Sequence, residues 1–162
     1  MKTLLIPTDF QLETTHCIPQ LVHRFHPQKL NILMVHLVGV TDSMGELLML
    51  SRRSAENRFI ADEFYRTCHN LRKAYADSLH DIRIEFFYGN TMAAFKNYLD
   101  ANNVDTIVTL KDLDYELLTE KSLDPDAFIH RSGRNTLTID LKKPLFELPK
   151  EESLKVLETE TV

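Results

Sequence analysis

The sequence predicts a doubly wound α/β domain on a five-stranded parallel sheet, and two observations predict it most directly. Ile82–Leu110 reads as an apolar strand, a Gly-Asn-Thr turn, an amphipathic helix, an acidic step at Asp105 and a second apolar strand. That is the strand–helix–strand unit whose right-handed crossovers build such sheets, with ligands at the carboxyl ends of the strands. Leu4–Ile6 and Asn31–Val38 are near-continuous apolar runs, as expected of strands covered on both faces. A third observation bears on function. The chain has four glycines, Gly39, Gly45, Gly89 and Gly133, and none lies between the last two, where a phosphate cradle after the second of these strands would need them.

In chain order, Lys2–Pro7 is the first strand, followed by the polar Thr8-Asp9. A helix is expected over about Leu12–Phe25, with Ile18, Leu21, Val22 and Phe25 inward; Pro19 means that it starts late or kinks there. Asn31–Val38 is the second strand, and Gly39–Arg53 a long connection with a helical turn at Glu46–Leu50. Ser54–Leu79 is the longest expected helix, because Ile60, Phe64, Cys68, Leu71 and Tyr75 recur every three or four residues. Ile82–Tyr88, Thr91–Asn103 and Thr106–Leu110 follow as strand, helix and strand. Asp124-Pro125 marks a helix start, with Asp as N-cap and Pro at the first helical position. Phe128 and Ile129 face inward, Gly133 suits the exit, and Thr136–Leu141 is the fifth strand. Residues 1–143 form one domain in this reading, and 144–162 a C-terminal extension.

Composition narrows the function classes. A chain of 162 residues, 43% hydrophobic and 27% charged, is long enough for one well-buried core. A net charge of -5 argues against a nucleic-acid partner, which demands clustered Lys and Arg. Cys17 and Cys68 form no CxxC pair and fit a reducing cytoplasm. Leu4-Leu5-Ile6 is too short for a signal-peptide core, and no stretch has the length of a bilayer span.

Four places together resemble the universal stress protein family: Leu4–Phe10 with its Pro-Thr-Asp-Phe strand exit, Ile32–Val38 as the second strand, Gly89 leading into Thr91–Leu99, and Asp105–Val108 as an Asp-x-Ile-Val strand. The similarity covers roughly residues 2–141. It implies the strand order 3-2-1-4-5. Nucleotide-binding members of that family carry Gly-x2-Gly-x9-Gly-Ser/Thr after the fourth strand, where backbone amides hold the ATP phosphates. Here that place holds Thr109–Glu116, with no glycine and three carboxylates, Asp112, Asp114 and Glu116. Bulky side chains block amide access, and each carboxylate repels phosphate by about 1 kcal/mol or more at short range. Lys111 alone does not restore the site. Asp9 matches the acidic residue that the family places near the nucleotide.

Other constellations are weaker. His16, His23 and His26 with Cys17 suggest a zinc site on the first helix, but an exposed polar face explains them as well, and no metal site is expected. Cys68 sits on the apolar stripe of its helix and reads as core. His36 falls near Asp9 at the carboxyl edge of the sheet, where the two could line a pocket or act as acid and base; a capped structural histidine is the preferred reading. No Walker loop, nucleophile elbow, His-Glu-x-x-His or EF-hand pattern is present.

The expected function is therefore that of a non-enzymatic cytoplasmic protein of the universal stress type without ATP or another cofactor. It would act as a homodimer and bind a small ligand or a protein partner, but neither nucleic acid nor membrane. The candidate crevice is Pro7, Thr8, Asp9, His36 and Gly89, with no catalytic residues assigned. The alternatives are a nucleotide-binding or weakly ATP-hydrolysing protein with an altered loop, and a small metal-binding or acid/base enzyme using Asp9 and His36. The dimer is expected through the edge strand Thr136–Leu141, whose counterpart in the resembled family commonly pairs across a two-fold axis. Pro144–Leu148, too apolar for a free tail, is expected to join the dimer by crossing onto the partner subunit or to fold back over its own edge, and Glu151–Glu158 to form a short helix.

Overall fold

The computed structural model describes residues 1–40 and 58–142. Five parallel strands form one sheet: β1 (Lys2–Pro7), β2 (Leu30–Val38), β3 (Leu79–Tyr88), β4 (Val104–Leu110) and β5 (Asn135–Ile139), in the order β3-β2-β1-β4-β5. The helices are α1 (Ile18–Phe25), α2 (Asp62–Ala74), α3 (Met92–Ala101) and α4 (Pro125–Arg131), with a 3-10 turn at Leu12–Thr15.

Strand alternation sorts the core into two layers. Leu4, Ile6, Ile32 and Met34 point to one face, where Ile18 and Leu21 of α1 and Phe64 and Cys68 of α2 cover them. Leu5, Leu33, Val35, Leu37 and Ile107 point to the other, against Phe95 and Leu99 of α3 and Ile129 of α4. Burial on both sides is why β1 and β2 read as unbroken apolar runs. The outer strands β3 and β5 mix exposed and buried positions, as edges do.

Several local expectations hold for their stated reasons. Pro19 does not kink a long helix; it sits in the first turn of α1, which starts late after the 3-10 turn. Thr91 caps α3 by accepting the Ala94 amide, and Asp124 caps α4 by accepting the Asp126 amide. Gly133 takes φ 75° at the exit from α4, where a side chain would be strained.

Two boundaries differ. The expected helix over Ser54–Leu79 is interrupted among the described residues: Arg58 and Phe59 are helical, the buried Ile60 and Ala61 are not, a helix spans Asp62–Ala74, and Leu79 belongs to β3. The apolar stripe continued past both ends because neighbouring non-helical residues pack on the same core. Strand β3 begins at Leu79 rather than Ile82, since Leu30 of β2 pairs with Leu79 and its amide donates to Ser78. Strand β5 is Asn135–Ile139, and Asp140 turns the chain by accepting the Lys142 amide. The turn at Glu46–Leu50, the first residues of the Ser54 helix, and Pro144–Leu148 and Glu151–Glu158 of the tail lie outside the described residues.

Candidate functional site

The sheet's switch point lies between β1 and β4, whose onward connections diverge to opposite sides, and ligands of open α/β sheets settle in such crevices. Here the chain itself takes up the β1 and β2 side of the crevice. Residues 111–124 leave β4 and run back across the carboxyl ends of β1 and β2 as a strap.

The strap takes over the place that β1 vacates. Strand β1 pairs with β2 up to Pro7 and Val35, and the Thr8 amide still donates to the Val35 carbonyl at 2.9 Å. One step further along β2, the Leu123 amide donates to the Leu37 carbonyl at 2.9 Å and the Gly39 amide to the Lys121 carbonyl at 2.7 Å. Val38 and Ser122 form an antiparallel bridge there. These backbone groups of Val35, Leu37 and Gly39 are thus already paired within the protein.

Beneath the strap lie three of the sequence-predicted residues. Thr8 is fully buried; its hydroxyl accepts the Phe10 amide at 2.9 Å and shares a bond with the Thr14 hydroxyl at 2.8 Å. These contacts hold Phe10 at φ 62°, an unusual left-handed turn for a bulky residue. Asp9 is only 1% exposed, and its two oxygens accept the amides of Gln11 at 3.1 Å and of Glu116, in the strap, at 3.0 Å.

His36 is fully buried, on the face shared with Phe10 and Phe86. Its Nδ1 lies 2.8 Å from the Thr8 carbonyl and 2.7 Å from the Tyr115 hydroxyl, while Nε2 lies 2.7 Å from the Ser122 hydroxyl. The Tyr115 hydroxyl also donates to the Thr8 carbonyl at 3.0 Å. A neutral imidazole has one donor and one acceptor nitrogen, and both have partners here. Burial holds the His36 pKa below its ordinary value, against smaller opposing effects of the Thr8 bond and the Asp9 charge. Burial likewise raises Tyr115 far above the usual phenol range, helped by the charges of Asp9 and Asp124.

The other predicted site residues fall elsewhere. Pro7 lines a cavity of about 100 Å³ between β4 and the start of α4, together with Val108, Leu110, Tyr115, Pro125 and Ile129. Gly89 stands on the opposite face: a β-carbon there would meet the Phe87 ring at 2.7 Å and Ala94 at 3.3 Å. Asp9, Glu13, Asp114 and Glu116 line an open depression at the strap's flank, which makes its potential negative. His16, His23 and His26 are exposed, whereas Cys17 is buried and donates its thiol to the Thr14 carbonyl. No three side chains of metal-ligating type converge among the described residues.

Tyr115 and Ser122, which clamp His36, were not singled out from the sequence. The available signals were a lone aromatic in a charged loop and the Thr119-x-x-Ser122 pattern, in which the Ser122 hydroxyl accepts the Thr119 amide at 3.0 Å.

No protein-family profile matches the chain, and no curated protein matches it in sequence. Solved structures do match. The universal stress protein UspA from Lactobacillus plantarum is 14% identical over 85% of this chain and 97% of its own, with a TM-score of 0.52. A hypothetical protein, PH0823, is 15% identical over 86% of this chain and 95% of its own, with a TM-score of 0.51. The protein MJ0577, whose biochemical function was assigned from its structure, is 14% identical over the same shares, with a TM-score of 0.50. The chain is thus built on the fold of the universal stress protein UspA.

Proposed function

We propose that this chain is a universal stress protein-like regulator without ATP binding, which acts as a homodimer through a small ligand or a protein partner rather than by catalysis. One observation supports the reading: the strap covers the carboxyl ends of β1 and β2 and bonds Thr8, Asp9 and His36, while the space left between Pro7 and Val108–Leu110 is a cavity of about 100 Å³. A nucleotide would have to displace those bonds and bring its phosphates against Asp114 and Glu116 with no glycine amides to receive them. The acid/base alternative is disfavoured because His36 and Asp9 are buried and each is already bonded to partners inside the protein. Cytoplasmic residence is part of the proposal and is supported by the two free cysteines. No helix among the described residues is long and apolar enough to cross a membrane.

Calorimetric titration with ATP and magnesium at neutral pH tests the proposal. Binding no tighter than about millimolar, roughly 4 kcal/mol, is expected. A micromolar dissociation constant would overturn the reading and favour a nucleotide-binding protein with an altered loop.

A further inference from the structure

We propose that residues 111–124 form an acid-released clasp, pinned by His36, whose two ring nitrogens each meet a strap side chain, Tyr115 on one and Ser122 on the other. This deepens the functional reading, because it rests on the strap taking up the β1 and β2 side of the crevice.

The strap is held by individual hydrogen bonds and not by a continuous ladder. Among the described residues, the bonds beyond the His36 contacts are the Lys111 amide on the Ile139 carbonyl, the Tyr115 hydroxyl on the Thr8 carbonyl, the Glu116 amide on Asp9, the Gln11 side chain on the Glu116 carboxylate, the Leu123 amide on Leu37 and the Gly39 amide on the Lys121 carbonyl. Its side chains are exposed or half-buried except Ser122, and its apolar anchors are the half-buried Leu118 and Leu123, one against each layer of the core. A segment with so little buried surface opens at a small fraction of the global unfolding free energy.

The ring is placed so that its charge state governs that opening. Phe86 on β3 and Phe10 after β1 pack against it with centroids 5.8 and 5.7 Å away, and neither carries charge. From the strap it meets the neutral Tyr115 phenol and the Ser122 hydroxyl. The charged group acting on it is Asp9, which already accepts two amides; Asp124 acts one step away, on Tyr115. An added proton turns both ring nitrogens into donors. The Tyr115 hydroxyl keeps the Thr8 carbonyl as its acceptor at 3.0 Å, and the Ser122 hydroxyl turns to the Thr119 hydroxyl at 3.3 Å. The hydrogen bonds are therefore replaceable, and what opposes the proton is burial of the charge. Lifting the strap restores water to the imidazolium. It also uncovers Thr8, Asp9 and the end of β2.

The sign follows from burial. The open form takes up a proton near the ordinary histidine value of about 6.5 and the closed form only below it. The clasp is fully held above about pH 6.5 and loosens as the pH falls through that value.

Hydrogen exchange on the full chain, as protection factors corrected for intrinsic rates, tests this between about pH 7.5 and about pH 5.5. Protection of the Glu116 and Leu123 amides should fall severalfold relative to core amides such as Leu33, and His36→Gln should abolish that dependence. Unchanged strap protection overturns the proposal, as does an equal loss in His36→Gln or a loss that begins only in the carboxylate range near about pH 4.3. If His36→Gln does not fold, the imidazole titration followed by NMR in the unaltered protein must share its midpoint with the strap's exchange; separate midpoints overturn the clasp. Exchange reads opening and the ATP titration reads ligand binding, so either can fail while the other stands.

Discussion

The Tyr115 and His36 rings lie nearly parallel, 10° apart with centroids 5.6 Å from each other, and the phenol hydroxyl sits 2.7 Å from Nδ1 of the imidazole. A residue of the strap is thereby joined to the middle of β2, across 79 positions of sequence. This contact should be measurable in stability.

Tyr115→Phe keeps the ring and removes the hydroxyl that bonds the Thr8 carbonyl and His36. The expected cost is about 1–2 kcal/mol, because a partly buried bond is lost while one His36 contact goes unfilled. Urea unfolding gives the value from the shift in midpoint at constant slope. A change below about 0.5 kcal/mol, the level of an ordinary surface substitution, would remove the strap from the stability account.

Gly89→Ala should destabilise through overpacking. The new methyl meets the Phe87 ring at 2.7 Å, and that ring is wedged edge-on against Phe95 with centroids 5.5 Å apart. Phe87 is buried and has little room to yield. The same unfolding measurement should show a loss of about 1–3 kcal/mol. An unchanged midpoint would mean that the end of β3 adjusts freely.

Both thiols should be inert in the folded protein. Burial pushes Cys17 and Cys68 up to about 12, leaving almost no thiolate at neutral pH. Iodoacetamide at about pH 8 should label neither until denaturant is added, as mass spectrometry would show. The linkage has a definite sign: these groups favour the fold fully below their unfolded pKa of about 8.5, and that contribution declines as the pH rises from there towards 12. Fast labelling of either cysteine under native conditions would contradict the buried assignment.

Light scattering should report a dimer for the full chain at micromolar concentration. The outer edge of β5 carries exposed Thr136 and Thr138 with half-buried Leu137. A two-fold pairing of such an edge satisfies both copies through one self-complementary surface. A chain ending at Lys143 tests the extension separately. A full-length monomer refutes the dimer, whereas a dimer that survives truncation refutes only the tail's part in it.

The parts of this protein that were legible in its sequence are those whose signal is local. Leu4–Ile6 and Asn31–Val38 are apolar runs because both their faces are buried, and Asp124-Pro125 caps a helix with its own atoms. Strand β3 was read three residues short because His80 and Asp81 look polar, a licence that an edge position grants. Ile60 and Tyr75 continued a helical period without being helical, since packing and not backbone conformation set their spacing. In the site, Thr8, Asp9 and His36 were foreseeable from strand ends. Gly89 was not placed correctly relative to them, because a one-residue step in a strand decides the face. Ser122 meets His36 across 86 residues, and no local pattern encodes such a meeting.

The strand order has a consequence for assembly in time. Strand β1, buried on both faces, occupies the centre of the sheet, yet its neighbour β4 comes far later in the chain: the Thr3 amide meets the Asp105 carboxylate across 102 residues. Until that second partner arrives, an apolar strand has one open flank, and the loop to be closed is nearly as long as the domain. Such late, distant pairing slows folding and leaves intermediates prone to self-association. Nascent chains of this protein should therefore depend most on protection in the interval before Val104–Leu110 has been synthesised.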